Sequence, residues 1–184
     1  MNSDRASYRN RGGLFQRLTT LLKSRHVTKC GAGVVIKRSV DMRVTDGAVL
    51  EIGDGVVIQD YAMIQLTKPS PKLTIGSNSV IGRFNVITAK NHVAIGNDVL
   101  IGSFVQIIDH GHGIARGEVI RKQEALIGEV VIGDDVWIGA GAKILMNVHI
   151  GRGAVIGANA VVTKNIPEYA IAVGAPAKVI GSRE

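Results

Sequence analysis

The sequence predicts an all-β chain wound as a parallel β-helix of three-sided coils. The first observation is a period of six: Ile132, Ile138, Ile144, Ile150, Ile156 and Val162 stand six residues apart, and glycine directly follows four of them. An amphipathic helix repeats its apolar face every 3.6 residues and a half-buried strand every two, so neither explains that spacing. A stacked solenoid does, with one short strand and one corner per unit. The second observation is that the anchors form triplets: Cys30, Ile36, Met42; Ile52, Ile58, Ile64; Ile75, Ile81, Ile87; Ile95, Ile101, Ile107; Ile132, Ile138, Ile144; Ile150, Ile156, Val162. Extra residues enter only between triplets, and none enters before the last. Insertions confined to every third corner imply about six coils of three hexads each. Composition is the third observation, since hydrophobic residues make up 46% of the chain but aromatics only 4%. A narrow interior of stacked Val, Ile and Ala ladders accepts that mixture.

Taken in order, the chain opens with a basic arm, residues 1–29. Residues 1–25 hold Arg5, Arg9, Arg11, Arg17, Lys23 and Arg25 against Asp4, so +5 of the net +7 lies there and the body is nearly neutral. A basic stripe with stacking aromatics on the folded body is missing, which argues against nucleic acid as a partner. After Gly12-Gly13, the residues Leu14, Phe15, Leu18, Leu21 and Leu22 share one helical face and predict a short amphipathic helix. Its first reading is a cap over the open first coil, which would otherwise expose strand edges. A basic helix lying on a membrane surface is the second.

The solenoid follows over residues 30–167, with an excursion at residues 108–131, and a C-terminal segment covers residues 168–184. Gly, Asn and Asp cluster just after the anchors, where corners call for residues that tolerate positive φ. Two positions before the next anchor stand small or branched residues such as Val56, Ala62, Ser79, Val105 and Ala142, predicted to point inward. Asn85 shares that position and reads first as a buried amide satisfied within the ladder. A polar start without a cleavable apolar core, no apolar run of membrane-spanning length and a single cysteine predict a soluble, cytoplasmic protein.

Four motifs carry a resemblance: DHGHG at 109–113, VIGDDVWIG at 131–139, IGANAVVTKNIP at 156–167 and VGAPAKVI at 173–180. They resemble those of the hexapeptide-repeat acyltransferases, in particular galactoside and maltose acetyltransferases, antibiotic acetyltransferases and sugar O-acetyltransferases of surface-polysaccharide pathways. The resemblance covers about residues 30–181. It implies a left-handed helix, a homotrimer with active sites between subunits, and acetyl transfer from acetyl coenzyme A to a saccharide hydroxyl. An antibiotic or nucleotide-sugar (N-)acetyltransferase is the alternative. Where the family often has a Pro-Gly corner this chain has Met146-Asn147, and asparagine supplies the positive φ that glycine would.

Acyl transfer to a hydroxyl needs a base, oxyanion donors and a groove for the thiol carrier. Histidine suits the first role because its ordinary pKa lies near neutrality. The longest interruption of the repeat begins with Asp109, His110, Gly111 and His112. By register the resemblance puts the base at His112, with His110 as the second candidate. Asp109 either orients the imidazole or closes a turn; Glu118 and Glu124 are weaker orienting candidates. The resemblance also assigns Trp137, Gly139, Ala140 and Ala158 to the pantetheine groove, and Thr163, Lys164 and Lys178 to the nucleotide end of the coenzyme. Two rival readings stand beside this one. His92, His112 and His149 each stand five residues after a third anchor, a column like the zinc histidines of trimeric β-helix carbonic anhydrases. The insertions after Ile87 and Ile107 break that column and the His-x4-His spacing is absent, so no metal is predicted. A noncatalytic spacer is the other rival.

Overall fold

The computed structural model describes residues 20, 23, 25–69 and 71–184, and the triplets become its three faces. Lys29–Cys30, Val49–Ile52, Lys72–Ile75, His92–Ile95, Glu129–Ile132 and Val148–Ile150 stack in parallel as the first face. The second runs through Val35–Ile36, Val57–Ile58, Val80–Ile81, Leu100–Ile101, Trp137–Ile138 and Val155–Ile156. Asp41–Val44, Met63–Leu66, Val86–Ala89, Gln106–Ile108, Lys143–Ile144 and Val161–Val162 make the third.

Every anchor pairs with the corresponding anchor of the next coil. On the second face Ile36 pairs with Ile58, Ile58 with Ile81, Ile81 with Ile101, Ile101 with Ile138 and Ile138 with Ile156. A slip of one residue would turn each aliphatic ladder outward, so burial fixes the register. The ladders fill the interior: Ile58, Ile64, Ile107, Ile138, Ile144 and Ile156 are wholly buried. Losing one such side chain to alanine costs about 2–5 kcal/mol. At the open end Cys30 and Met42 have no coil beneath them, and Cys30 is exposed.

The inward positions between anchors are filled as the sequence predicts, with Val56, Ala62, Val105 and Ala142 all buried. Buried Ser79 is satisfied on both sides: its hydroxyl donates to Gly96 O at 2.8 Å and accepts from Val99 N at 3.0 Å. Asn85 is satisfied on one side alone. Its Oδ1 accepts from Val105 N at 2.7 Å, while Nδ2 has no partner among the described residues, because Ala62 and Val105 flank it in the ladder. Corner Asn147 takes φ 61°, the left-handed conformation expected at the Met146-Asn147 corner.

The expected short N-terminal helix is a correction. Among the described residues there is no α-helix of seven residues or more, and the one helical element with defined bounds is the 3-10 turn Ile120–Lys122. The apolar face of Leu14, Phe15, Leu18, Leu21 and Leu22 lies outside the described residues. Periodicity alone over so short a segment leaves a helix marginal, since nucleation is unfavourable and few turns follow to offset it. What is described of the arm touches the first coil: Thr20 Oγ1 accepts from Ile36 N at 3.2 Å, and Lys23 Nζ donates to the Val40 carbonyl. No helix among the described residues is long and apolar enough to cross a membrane.

At the other end the second face continues beyond the sixth coil. Ala170–Val173 pairs in parallel with Val155–Ile156, and Lys178–Ser182 folds back antiparallel on it. That antiparallel strand covers the last parallel edge, which would otherwise be open to pairing.

Candidate active site

All insertions leave at the corner between the third and first faces, and the longest builds a hairpin. His110–His112 pairs antiparallel with Ala125–Ile127, with Gly111 opposite Leu126. The sequence gives no periodic signal for this pair of strands. Their link is closed by Gln123, whose Oε1 accepts from Ala115 N at 2.8 Å and whose Nε2 donates to Ala115 O and Glu118 O at 3.0 and 2.9 Å. At its neck Gly128 N donates to Asp109 O at 2.7 Å and Asn91 Nδ2 to Gly128 O at 2.9 Å.

Asp109 is the pivot of the site. It is wholly buried, and its carboxylate accepts from Lys90 N at 2.9 and 3.1 Å, from Asn91 N at 2.8 Å, and pairs with His110 Nδ1 at 2.8 Å. A buried carboxylate is tolerated when donors surround it, and these hold it in one orientation. With Nδ1 bound to Asp109, His110 carries its proton there and leaves Nε2 as the acceptor. The His110 side chain keeps 20% of its surface exposed. His112 lies on the same side of the strand, two residues on, and is exposed without a polar partner among the described residues. The register that the resemblance implies favours His112, whereas the geometry of a base with an orienting carboxylate belongs to His110. Neither Glu118 nor Glu124 bonds its side chain to a histidine.

The predicted coenzyme residues fall on the second face and the corner after it. Trp137 points outward, 55% exposed, between Leu100 and Val155. Gly139 has a structural reason: a Cβ there would sit 2.6 Å from Ala158 N. Ala140 and Ala158 are exposed, one coil apart, and their amide protons meet no acceptor among the described residues. At the preceding corner the equivalent amides of Ala32, Asp54, Ser77 and Asn97 are taken by Asp54, Ser77, Asn97 and Asp134 side chains. Alanine at 140 and 158 leaves that column of donors open for a ligand. Thr163, Lys164 and Lys178 are exposed near the last coil, where the turn after Val173 runs beside Val161 and Ala177 N donates to Val161 O at 2.8 Å. These residues fit an extended carrier bound mainly through its amides and carrying phosphates at one end.

The hairpin and the Ala140 corner are not adjacent within one chain. The hairpin leaves from the corner between the third and first faces, Ala140 and Ala158 from the corner between the second and third, so one whole face separates them.

The histidine column is divided as well. His92 and His149 converge on Glu129 from the coils on either side, His149 Nε2 at 3.0 Å from Oε1 and His92 Nδ1 at 3.5 Å from Oε2, while His112 stands apart in the hairpin. Among the described residues no group of three His, Cys, Asp or Glu side chains is placed to hold a metal ion. The hydrogen bonds from His149 and His92 hold the Glu129 carboxyl below its ordinary value of 4.5. A carboxylate depressed in the fold adds stability above that ordinary value and loses it as pH falls through the depressed one. Glu129→Gln is therefore expected to flatten the acid limb of melting temperature against pH below about 4.5 and to leave the neutral limb unchanged, which a calorimetric pH series measures. The one cysteine offers no nucleophile: partial burial pushes the Cys30 thiol up, and it sits on the first coil, away from the hairpin.

Comparison with known proteins accords with this architecture. Residues 129–164 match the bacterial transferase hexapeptide model of six repeats. A probable acetyltransferase of Mycobacterium tuberculosis is 38% identical over 155 residues, 84% of this chain and 49% of the relative, so the chain spans about half that protein's length. AntD, an N-acyltransferase from Bacillus cereus solved with dTDP and 3-hydroxybutyryl-CoA, superposes with a TM-score of 0.79 at 23% identity, covering 90% of this chain and 88% of that one. The polySia-specific acetyltransferase NeuO superposes with a TM-score of 0.60 at 25% identity, covering 84% and 81%.

Proposed function

We propose that this chain is a hexapeptide-repeat, left-handed β-helix acyltransferase, as the match of residues 129–164 supports, and that it transfers a short acyl group from a coenzyme A thioester to a sugar-bearing acceptor. The Asp109–His110 pair is the observation that carries this reading. His110 Nε2 takes the proton of the acceptor hydroxyl or amine as that atom attacks the thioester carbonyl. Asp109 stabilises the resulting imidazolium. The amides of Ala140 and Ala158, together with Trp137, Thr163, Lys164 and Lys178, hold the coenzyme. When the carbon–sulfur bond breaks, the His110 proton passes to the departing thiolate.

The functional unit is a homotrimer. The outward side of the second face is apolar over four successive coils, through Val80, Leu100, Trp137 and Val155, with Leu100 52% and Trp137 55% exposed in the single chain. Such a stripe is an association surface. It borders the corner of Ala140 and Ala158, so a neighbouring chain seated there brings its hairpin towards the coenzyme groove.

For the acceptor, likeness to an N-acyltransferase solved with a dTDP ligand favours a nucleotide-linked sugar. Likeness to a polysialic acid acetyltransferase keeps a glycan hydroxyl as the second reading. Thiol release from acetyl coenzyme A, measured against nucleotide sugars, glycans and aminocyclic or macrocyclic drugs, is expected to respond to the first group. Calorimetry that finds no coenzyme A binding removes the enzymatic reading altogether.

A further inference from the structure

Below Ala140, the same corner carries a feature that the transfer step leaves unused. Its left-handed position is taken by Tyr61, Phe84 and Phe104 in three successive coils, at φ 62°, 57° and 61°. The corner between the first and second faces gives that conformation to Asn78, Asp98 and Asp135, to glycine, and to a single aromatic, Tyr169, in its last turn; higher on the present corner it goes to Gly141 and Asn159. Bulky side chains rarely adopt it, and strain of this kind concentrates where ligands bind. The three rings stack at centroid separations of 5.0 and 4.9 Å, tilted by 7° and 6°, but remain 55%, 41% and 60% exposed. Burial therefore does not explain why aromatic residues stand there.

What lies around the column resembles a ligand site. The next coil up has Gly141 at this position, its N–H donating to Ser103 O at 2.9 Å, so no side chain covers Phe104 from that coil. Asn159, one coil higher, turns its Oδ1 towards the space where a Gly141 side chain would stand. Lys143 Nζ donates to Gly141 O at 2.6 Å. The Arg83 guanidinium sits 5.9 Å from the Tyr61 and Phe84 ring centres and has no carboxylate partner among the described residues. An open aromatic face, flanked by an amide and two cations, is suited to a planar base that carries phosphate.

We propose that this column is the nucleotide subsite of the acceptor: a nucleobase stacks on Phe104 and its diphosphate lies between Arg83 and Lys143. The inference rests on the reading that places coenzyme A along Ala140 and Ala158, because that reading sets the acceptor below the thioester on the same corner. The coenzyme carries a base and phosphates of its own, and the reading seats those higher, towards Lys164 and Lys178. The experiment must therefore separate the two sources.

Calorimetry with UDP and with dTDP, each in the absence and presence of saturating coenzyme A, makes the separation. Both nucleotides are expected to bind in either condition. Phe104→Asn installs the residue type that other corners use at this φ, so the coil is retained. It is expected to weaken UDP and dTDP on the order of 10-fold while coenzyme A affinity holds and the melting temperature stays level or rises. Arg83→Gln should weaken UDP but leave uridine unchanged. Equal nucleotide affinity in Phe104→Asn overturns the proposal, as does nucleotide binding abolished by coenzyme A. A wild-type protein that binds coenzyme A but neither nucleotide also overturns it and leaves the acyltransferase reading standing; binding of none of the three removes both.

Discussion

Replacing His110 with alanine is expected to lower kcat by on the order of 10²–10⁴-fold, the range a positioned general base contributes. Coenzyme A affinity should hold, because the Ala140 and Ala158 amides lie on a different corner. The same change at His112 should cost less than about tenfold, as that imidazole has no orienting partner. Steady-state thiol release and coenzyme calorimetry on both variants measure this, and the reverse order of effects would make His112 the base. Asp109→Asn tests the pair from its other side. It keeps the size of the group but presents an amide where Lys90 N and Asn91 N donate, so activity falls through lost orientation of His110. Stability falls as well, by about 1–3 kcal/mol for a buried donor left unpaired. A fall in melting temperature without a change in the pH profile of kcat would give Asp109 a structural role only.

The solenoid was legible in the sequence to the level of register, for a physical reason. Each coil repeats one environment, so an aliphatic residue recurs wherever a ladder passes, and the pairing of Ile101 with Ile138 follows from counting hexads across a long insertion. The arm was not legible in this way. Leu14, Phe15, Leu18, Leu21 and Leu22 show a helical period, yet a single copy of a pattern carries far less constraint than six stacked ones, and no helix of that kind stands among the described residues. In the site, the sequence brought Asp109, His110 and His112 together by adjacency, and register under the resemblance put His112 first and His110 second. The opposite order proposed here rests on Lys90 N and Asn91 N fixing Asp109 from the previous coil, a contact 18 to 19 residues away in sequence that no motif records. The aromatic column escaped for a related reason: Tyr61, Phe84 and Phe104 are separated by unequal insertions and align only once the coils are stacked.

Leu100→Glu is expected to dissociate the protein into monomers at micromolar concentration and to remove nearly all activity with the β-helix intact. Leu100 stands outward in the middle of the apolar second face, between Val80 and Trp137, and a carboxylate there would have to lose its water on association without a partner. Its side chain points away from the core, so circular dichroism and melting of the monomeric coil should change little. Light scattering reports the assembly directly; an active monomer would sink the shared-site reading. A sharper check mixes two variants that are each inactive for a different reason, His110→Ala and Ala140→Arg, the second filling the groove. If every site takes its hairpin from one chain and its groove from the next, a randomly reassembled mixture contains sites with both native parts and recovers about a quarter of full activity. If each site belongs to one chain, mixing recovers nothing. The separation of the hairpin corner from the Ala140 corner by a whole face of the solenoid favours recovery.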